Sequence, residues 1–177
     1  MKFAAEGRVE APIELVYEML SVRLTELVPF MANVAAIEEL ERKPGDDGGV
    51  YVLNRWRAEP GNAPAAARPF LKPEMLVWLD HASWSLSGRY VDWRIEPGAF
   101  KGLFACAGRN ALAQEGAFTT LRITGELTID PKKVPGLPSF VAKRAVPPIE
   151  SYLIERIKPN LASLADGVGG WLAAGNR

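Results

Sequence analysis

The stretch "AVPPIESYLIERIKPNL", Ala145 to Leu161, reads as the opening of a long helix that carries prolines. Pro147 and Pro148 suit a first turn, where backbone donors lack intrahelical partners. Pro159 lies deeper, removes a hydrogen bond and is expected to bend the rod. The apolar positions run on through it: Val146, Ile149, Leu153, Ile157, Leu161, Leu164, Val168 and Trp171. A one-sided helix of this length has to lie over something, and the rest of the chain supplies a sheet.

Working backwards, "FTTLRITGELTID" alternates apolar and polar residues, with Leu121, Ile123, Leu127 and Ile129 on one face. It pairs across the turn "EGA" with "GLFACAGRNALAQ". In "RYVDWRIEP", Val91, Trp93 and Ile95 share a face opposite Tyr90, Asp92, Arg94 and Glu96. "EMLVWLDHA" precedes it across "SWSLS". Further back, "NVAAIEELERKPGDDGGVYVLNRWRA" is a strand, a proline- and glycine-rich turn and a strand in which Val50, Val52, Asn54 and Trp56 alternate with Tyr51, Leu53, Arg55 and Arg57. Residues 58–73 form a proline- and alanine-rich connector. The first strand, "KFAAEGRVEAP", points Phe3, Ala5 and Val9 inward. "PIELVYEMLSVRLTELVPFM" then repeats apolar residues at helical spacing, with a break near 20–22 that makes two short helices. The passage "PKKVPGLPSFVAKRAVPP" is too proline-rich for a regular element before the last helix.

The order is strand, two short helices, about six strands, then a long helix, which predicts an α+β fold over residues 1–177 as one domain. The first strand with "VEAPIELVYEML", the strand ending "WRIEPG" and the closing "PPIESYLIERIKPNL" resemble the START-like (SRPBCC, helix-grip) superfamily, which includes polyketide cyclases and plant pollen-allergen proteins. That resemblance implies a curved antiparallel sheet of about seven strands gripping the last helix, with a hydrophobic cavity between them. The same apolar stripe would equally close a solid core.

Bulk properties exclude several classes. Apolar residues make up 48% and charged residues 24% of 177, and 21 acids balance 21 bases, so no nucleic-acid footprint is present. Cys106 is the lone cysteine and His81 the lone histidine, which rules out an intrachain disulfide and multi-cysteine or multi-histidine metal sites. No phosphate-binding loop occurs, and no cofactor is expected: "GDDGG" lacks the spacing and the following Lys-Ser/Thr. "GVGG" (167–170) is expected to fray the last helix. No apolar run is long enough for a membrane span or a secretory leader, so a cytoplasmic location is the expectation.

Candidate cavity-lining residues are Val52, Asn54, Trp56, Val91, Trp93, Ile95, Ala107, Arg109, Leu121, Ile123, Ile149, Leu153 and Ile157. The small residues Ala105, Ala107, Gly108, Ala111 and Ala113 either leave volume beneath the helix or allow close helix–sheet approach. Asn54, Tyr90, Arg109 and Asn110 are the polar candidates for a cyclase- or dehydratase-like site. His81, next to Asp80, is the side chain that titrates near neutrality, although neighbours on a strand face opposite ways. Cys106 reads as packing. Three functions follow: carriage of a hydrophobic small molecule such as a lipid or polyketide-like compound, acid–base catalysis in the same cavity, or a protein-interaction or regulatory module using the 58–73 connector or the basic entry to the last helix. Lys132, Lys133, Lys143 and Arg144 form either a solvated linker or a lip for transient contact with an anionic membrane surface.

Overall fold

The computed structural model describes residues 1–59, 73–99, 102–133 and 138–176, with the side chains of Met75 and of 14 positions between 139 and 162 left out. Seven strands form one antiparallel sheet in the order β1-β7-β6-β5-β4-β3-β2. They are β1 (Lys2–Val9), β2 (Val34–Pro44), β3 (Val50–Ala58), β4 (Val77–Ser85), β5 (Tyr90–Pro97), β6 (Phe104–Glu115) and β7 (Phe118–Ile129). Between β1 and β2 lie helix α1 (Ile13–Ser21) and a 3-10 helix, Leu24–Phe30; helix α2 (Ser139–Ala173) closes the chain. Except for β1, which adds to the far edge beside β7, successive strands are neighbours. The expected meander and helix-gripping sheet are both present.

Local chemistry sets the corners. The "KPGDDGG" turn reverses the chain through left-handed Asp47 (φ 52) and Gly48 (φ 70), a conformation that aspartate tolerates and glycine adopts freely. No side chain of α1 caps its own start; instead the Gln114 side-chain oxygen accepts from the Ile13 N–H at 2.7 Å, tying α1 to the β6–β7 hairpin. Two register shifts in β2 mark bulges at the sheet edge.

α2 packs on β1, β7 and the 3-10 helix, burying Ile154, Ala165, Val168 and Trp171. It therefore lies nearest the β1–β7 side of the sheet. The glycines expected to fray α2 do the opposite. A methyl at Gly167 would press on Met31 and one at Gly170 on Phe30, each at about 3.0 Å, so their lack of a side chain permits close packing on the 3-10 helix. The Arg23 guanidinium then lies 4.7 Å from the Trp171 ring and pairs with Glu26 at 2.8 Å.

Other expectations need correcting. α2 begins at Ser139, so Pro147 and Pro148 fall inside the helix and the "SFVAKRAV" passage is helical. β4 runs through Ser85, which places "SWS" in the strand and Trp84 on its buried face. α2 runs on as helix through Pro159. Residues 60–72 of the 58–73 connector fall outside the described residues. No helix among the described residues is long and apolar enough to cross a membrane.

Candidate functional site

Alternation on β3, β4 and β5 turns Trp56, Trp78, Ala82, Trp84, Val91 and Trp93 to the concave side. They line a partly open cavity of about 300 Å³ together with Leu20, Leu24, Phe104, Cys106, Leu127 and Leu164. Trp56 and Trp78 stack across β3 and β4, with ring centroids 5.8 Å apart and planes 18° apart. Direct cross-strand pairing brings these rings together.

Four polar side chains interrupt the apolar wall: Asn33, Asn54, Asp80 and Asn110. Asn54 is 4% exposed and opposes Asp80 directly across the β3–β4 pair; no hydrogen bond engages its amide among the described residues. Asn110, on β6, accepts a 2.7 Å hydrogen bond from the Trp93 indole N–H. Asp80 is enclosed by protein, yet keeps accessible surface toward the cavity it lines. Burial pushes its carboxyl up to about 7, because an ionised carboxylate loses its hydration there. The Trp56 indole N–H lies beside that carboxyl and acts weakly the other way. It is not aligned in a hydrogen bond of normal geometry, so it remains a buried donor without a partner.

Asn54, Trp56, Val91, Trp93 and Ile95 from the sequence-predicted set line the cavity. Val52, Leu121 and Ile123 share the concave face but are packed into the core away from its walls. Ala107 and Arg109 do not belong to it. β6 turns Cys106 and Asn110 inward, and Ala105, Ala107 and Arg109 outward into solvent. Arg109 there pairs with Asp92 at 2.6 and 2.7 Å, and its guanidinium lies 3.7 Å from the Tyr90 ring. Tyr90 and Arg109 are thus outer-face residues, so the four polar candidates do not converge. The alanines consequently create no space under the helix. The inward small residues are Gly108, overlain by Trp93, and Gly125, overlain by Phe3. Ile149, Leu153 and Ile157 lie outside the described side chains.

His81 also faces outward, hydrogen-bonded through Nδ1 to the Tyr51 hydroxyl at 2.8 Å, with Nε2 3.5 Å from Glu96. The titratable group of the cavity is its neighbour Asp80. Burial holds the Cys106 thiol up at about 11, so it is a neutral wall residue at physiological pH. No group of three or more metal-ligating side chains occurs among the described residues.

No family model matches the chain, and no curated protein sequence matches it. Solved structures do. The Zhui aromatase/cyclase of a Streptomyces species superposes with a TM-score of 0.67 at 16% identity, over 100% of this chain and 99% of that one. A Thermus thermophilus protein gives 0.64 at 20% identity, over 98% and 99%. Norcoclaurine synthase of Thalictrum flavum, in complex with dopamine and hydroxybenzaldehyde, gives 0.61 at 15% identity, over 100% and 88%. The likeness is one of fold: the chain has the helix-grip fold of these structures.

Proposed function

We propose that the chain binds a compact, mostly apolar, ring-bearing small molecule in the cavity between its first helices, α2 and strands β3–β6. One observation carries this reading. A cavity walled by four indole rings holds a buried amide, Asn54, whose hydrogen-bonding capacity is unspent among the described residues. An unpaired buried polar group costs about 1–3 kcal/mol, a cost that a polar group of the ligand would offset. Largely apolar walls with a few orienting polar groups are the common construction of small-molecule sites, and about 300 Å³ lies at the small end of their range. That size favours a ring compound over a two-chain lipid. Two proteins of the same fold point the same way, since one is an aromatase/cyclase and the other is solved with two single-ring compounds.

A second reading is an enzyme using Asp80 as acid or base, favoured by a carboxyl that titrates near neutrality, where proton transfer in both directions is efficient. Native mass spectrometry and solvent extraction of the purified protein test the binding reading. One small apolar molecule per chain, or saturable one-to-one uptake of the neutral dye N-phenyl-1-naphthylamine, is the expected result. A protein that carries nothing and takes up no dye overturns it. Asp80→Asn separates the two readings, because a carrier keeps its ligand affinity whereas an enzyme keeps binding and loses turnover.

A further inference from the structure

The cavity's polar groups are not scattered. Asn54 and Asp80 face each other across β3 and β4, and Trp56 stands two residues from Asn54 on the same face. Their chemistry is lopsided. The Trp56 indole nitrogen is buried away from the cavity, beside the Asp80 carboxyl. The Asn54 amide offers two N–H groups and one acceptor oxygen. Asp80 adds an O–H whenever it is protonated, which burial favours.

No described cavity residue is cationic. Cys106 on β6 is the other titratable group of the described walls, while Asn54 on β3, Ile95 on β5 and Leu164 on α2 present no charge. His81, Arg94 and Glu96 lie on the strands' opposite face. A ligand ammonium would require an ionised Asp80, the form that burial disfavours. A ligand carboxylate would meet Asp80 in the same apolar space. A neutral oxygen acceptor, with two lone pairs, can take one hydrogen bond from the Asn54 amide and one from protonated Asp80 without burying a further charge.

We infer that Asn54 and Asp80, facing each other across β3 and β4, form a recognition site for one neutral carbonyl oxygen on an otherwise apolar ring ligand, with Asp80 engaging it as the neutral acid. This deepens the binding reading and rests on it. The ligand class is an aromatic ketone or ester whose rings lie among the indoles and whose oxygen reaches the β3–β4 wall. Ionising Asp80 withdraws its donor and sets a negative charge against the carbonyl oxygen, so affinity for such ligands falls as pH rises through neutrality. An oxygen-free ligand of the same shape is spared this loss.

Isothermal titration of the whole protein with 2-acetylnaphthalene, with 2-ethylnaphthalene of nearly the same shape, and with 1-(2-naphthyl)ethylamine tests this. At about pH 6 the ketone is expected to bind about tenfold more tightly than the hydrocarbon, and the advantage shrinks to about twofold by about pH 8.5. Asp80→Asn, whose amide donates at every pH, keeps the ketone preference without the pH dependence. Asp80→Leu loses most of the preference but still binds the hydrocarbon. Equal binding of ketone and hydrocarbon at both pH values overturns the inference and leaves the cavity reading standing. So does a ketone preference that survives intact in Asp80→Leu. An amine that binds best, and more tightly as pH rises, overturns it in favour of a cation site. If none of the three compounds binds, the cavity reading fails and takes this inference with it.

Discussion

Replacing Asp80 with asparagine should make the ligand-free protein more stable, by an amount set by pH. The Asp80 carboxyl moves from an ordinary value of 3.8 up to about 7 because the fold buries it. A shift of about three units corresponds to about 4 kcal/mol of differential free energy. The sign follows from proton counts. Between about pH 4 and 7 the unfolded chain has released this proton while the native chain retains it, so native stability falls as pH rises. The loss runs at about 1.4 kcal/mol per pH unit and levels off above the folded value. Asparagine is neutral throughout and nearly the same shape, so the variant escapes this loss, while every other titrating group is shared and cancels. Urea denaturation of both proteins at several pH values measures the difference. The stability of Asp80→Asn relative to the parent should grow by roughly 3 kcal/mol between about pH 5 and 8 and then stop growing. A gap that does not change with pH, or one that shifts in favour of aspartate as pH rises, would refute the argument that this carboxyl is buried away from water.

Other substitutions probe the remaining structure. Gly108→Ala drives a methyl into the Thr124 carbonyl and the Trp93 ring, and such overpacking typically costs about 1–3 kcal/mol; an unchanged thermal melt contradicts the packing described. Arg109→Ala removes an exposed ion pair on the outer face, so dye affinity should be unchanged, and a marked loss of affinity would place Arg109 at the site after all. Cys106, buried and with its thiol held up at about 11, should react with a disulfide reagent far more slowly at neutral pH in the native protein than in urea. Equal rates would show that the β6 wall opens freely to solvent.

Much of this fold is legible in the amino-acid order, because alternation along Val91–Trp93–Ile95 and Val52–Asn54–Trp56 follows from strand geometry alone. The helix start was hidden by Pro147 and Pro148, which suit a first turn and yet lie two turns inside α2. β6 misled through composition: its alanines suggested an interior, whereas Arg109 and Asn110 are adjacent and only one of them can face inward. The parity of Cys106, Asn110 and Leu112 carried the right answer. Asp80 was passed over for His81 because a strand aspartate ordinarily faces water. Its parity with Trp78, Ala82 and Trp84 was the available signal, and burial of that whole set emerges only once the sheet curves beside α2. Which side of the sheet α2 occupies, and hence where space remains, depends on long-range packing that no local pattern encodes.

A saturable binding titration that reads the cavity itself is the most direct test of the account. Four of the five tryptophans line the space, so energy transfer from them to bound N-phenyl-1-naphthylamine reports occupancy. Alongside it, Ala82→Phe sets a ring into the cavity from a position that is 4% exposed. The parent should bind one dye per chain, and the variant should remain folded with affinity lowered at least about tenfold. Equal binding by the two proteins, or none by the parent, would contradict the claim that this wall of indoles encloses a ligand site.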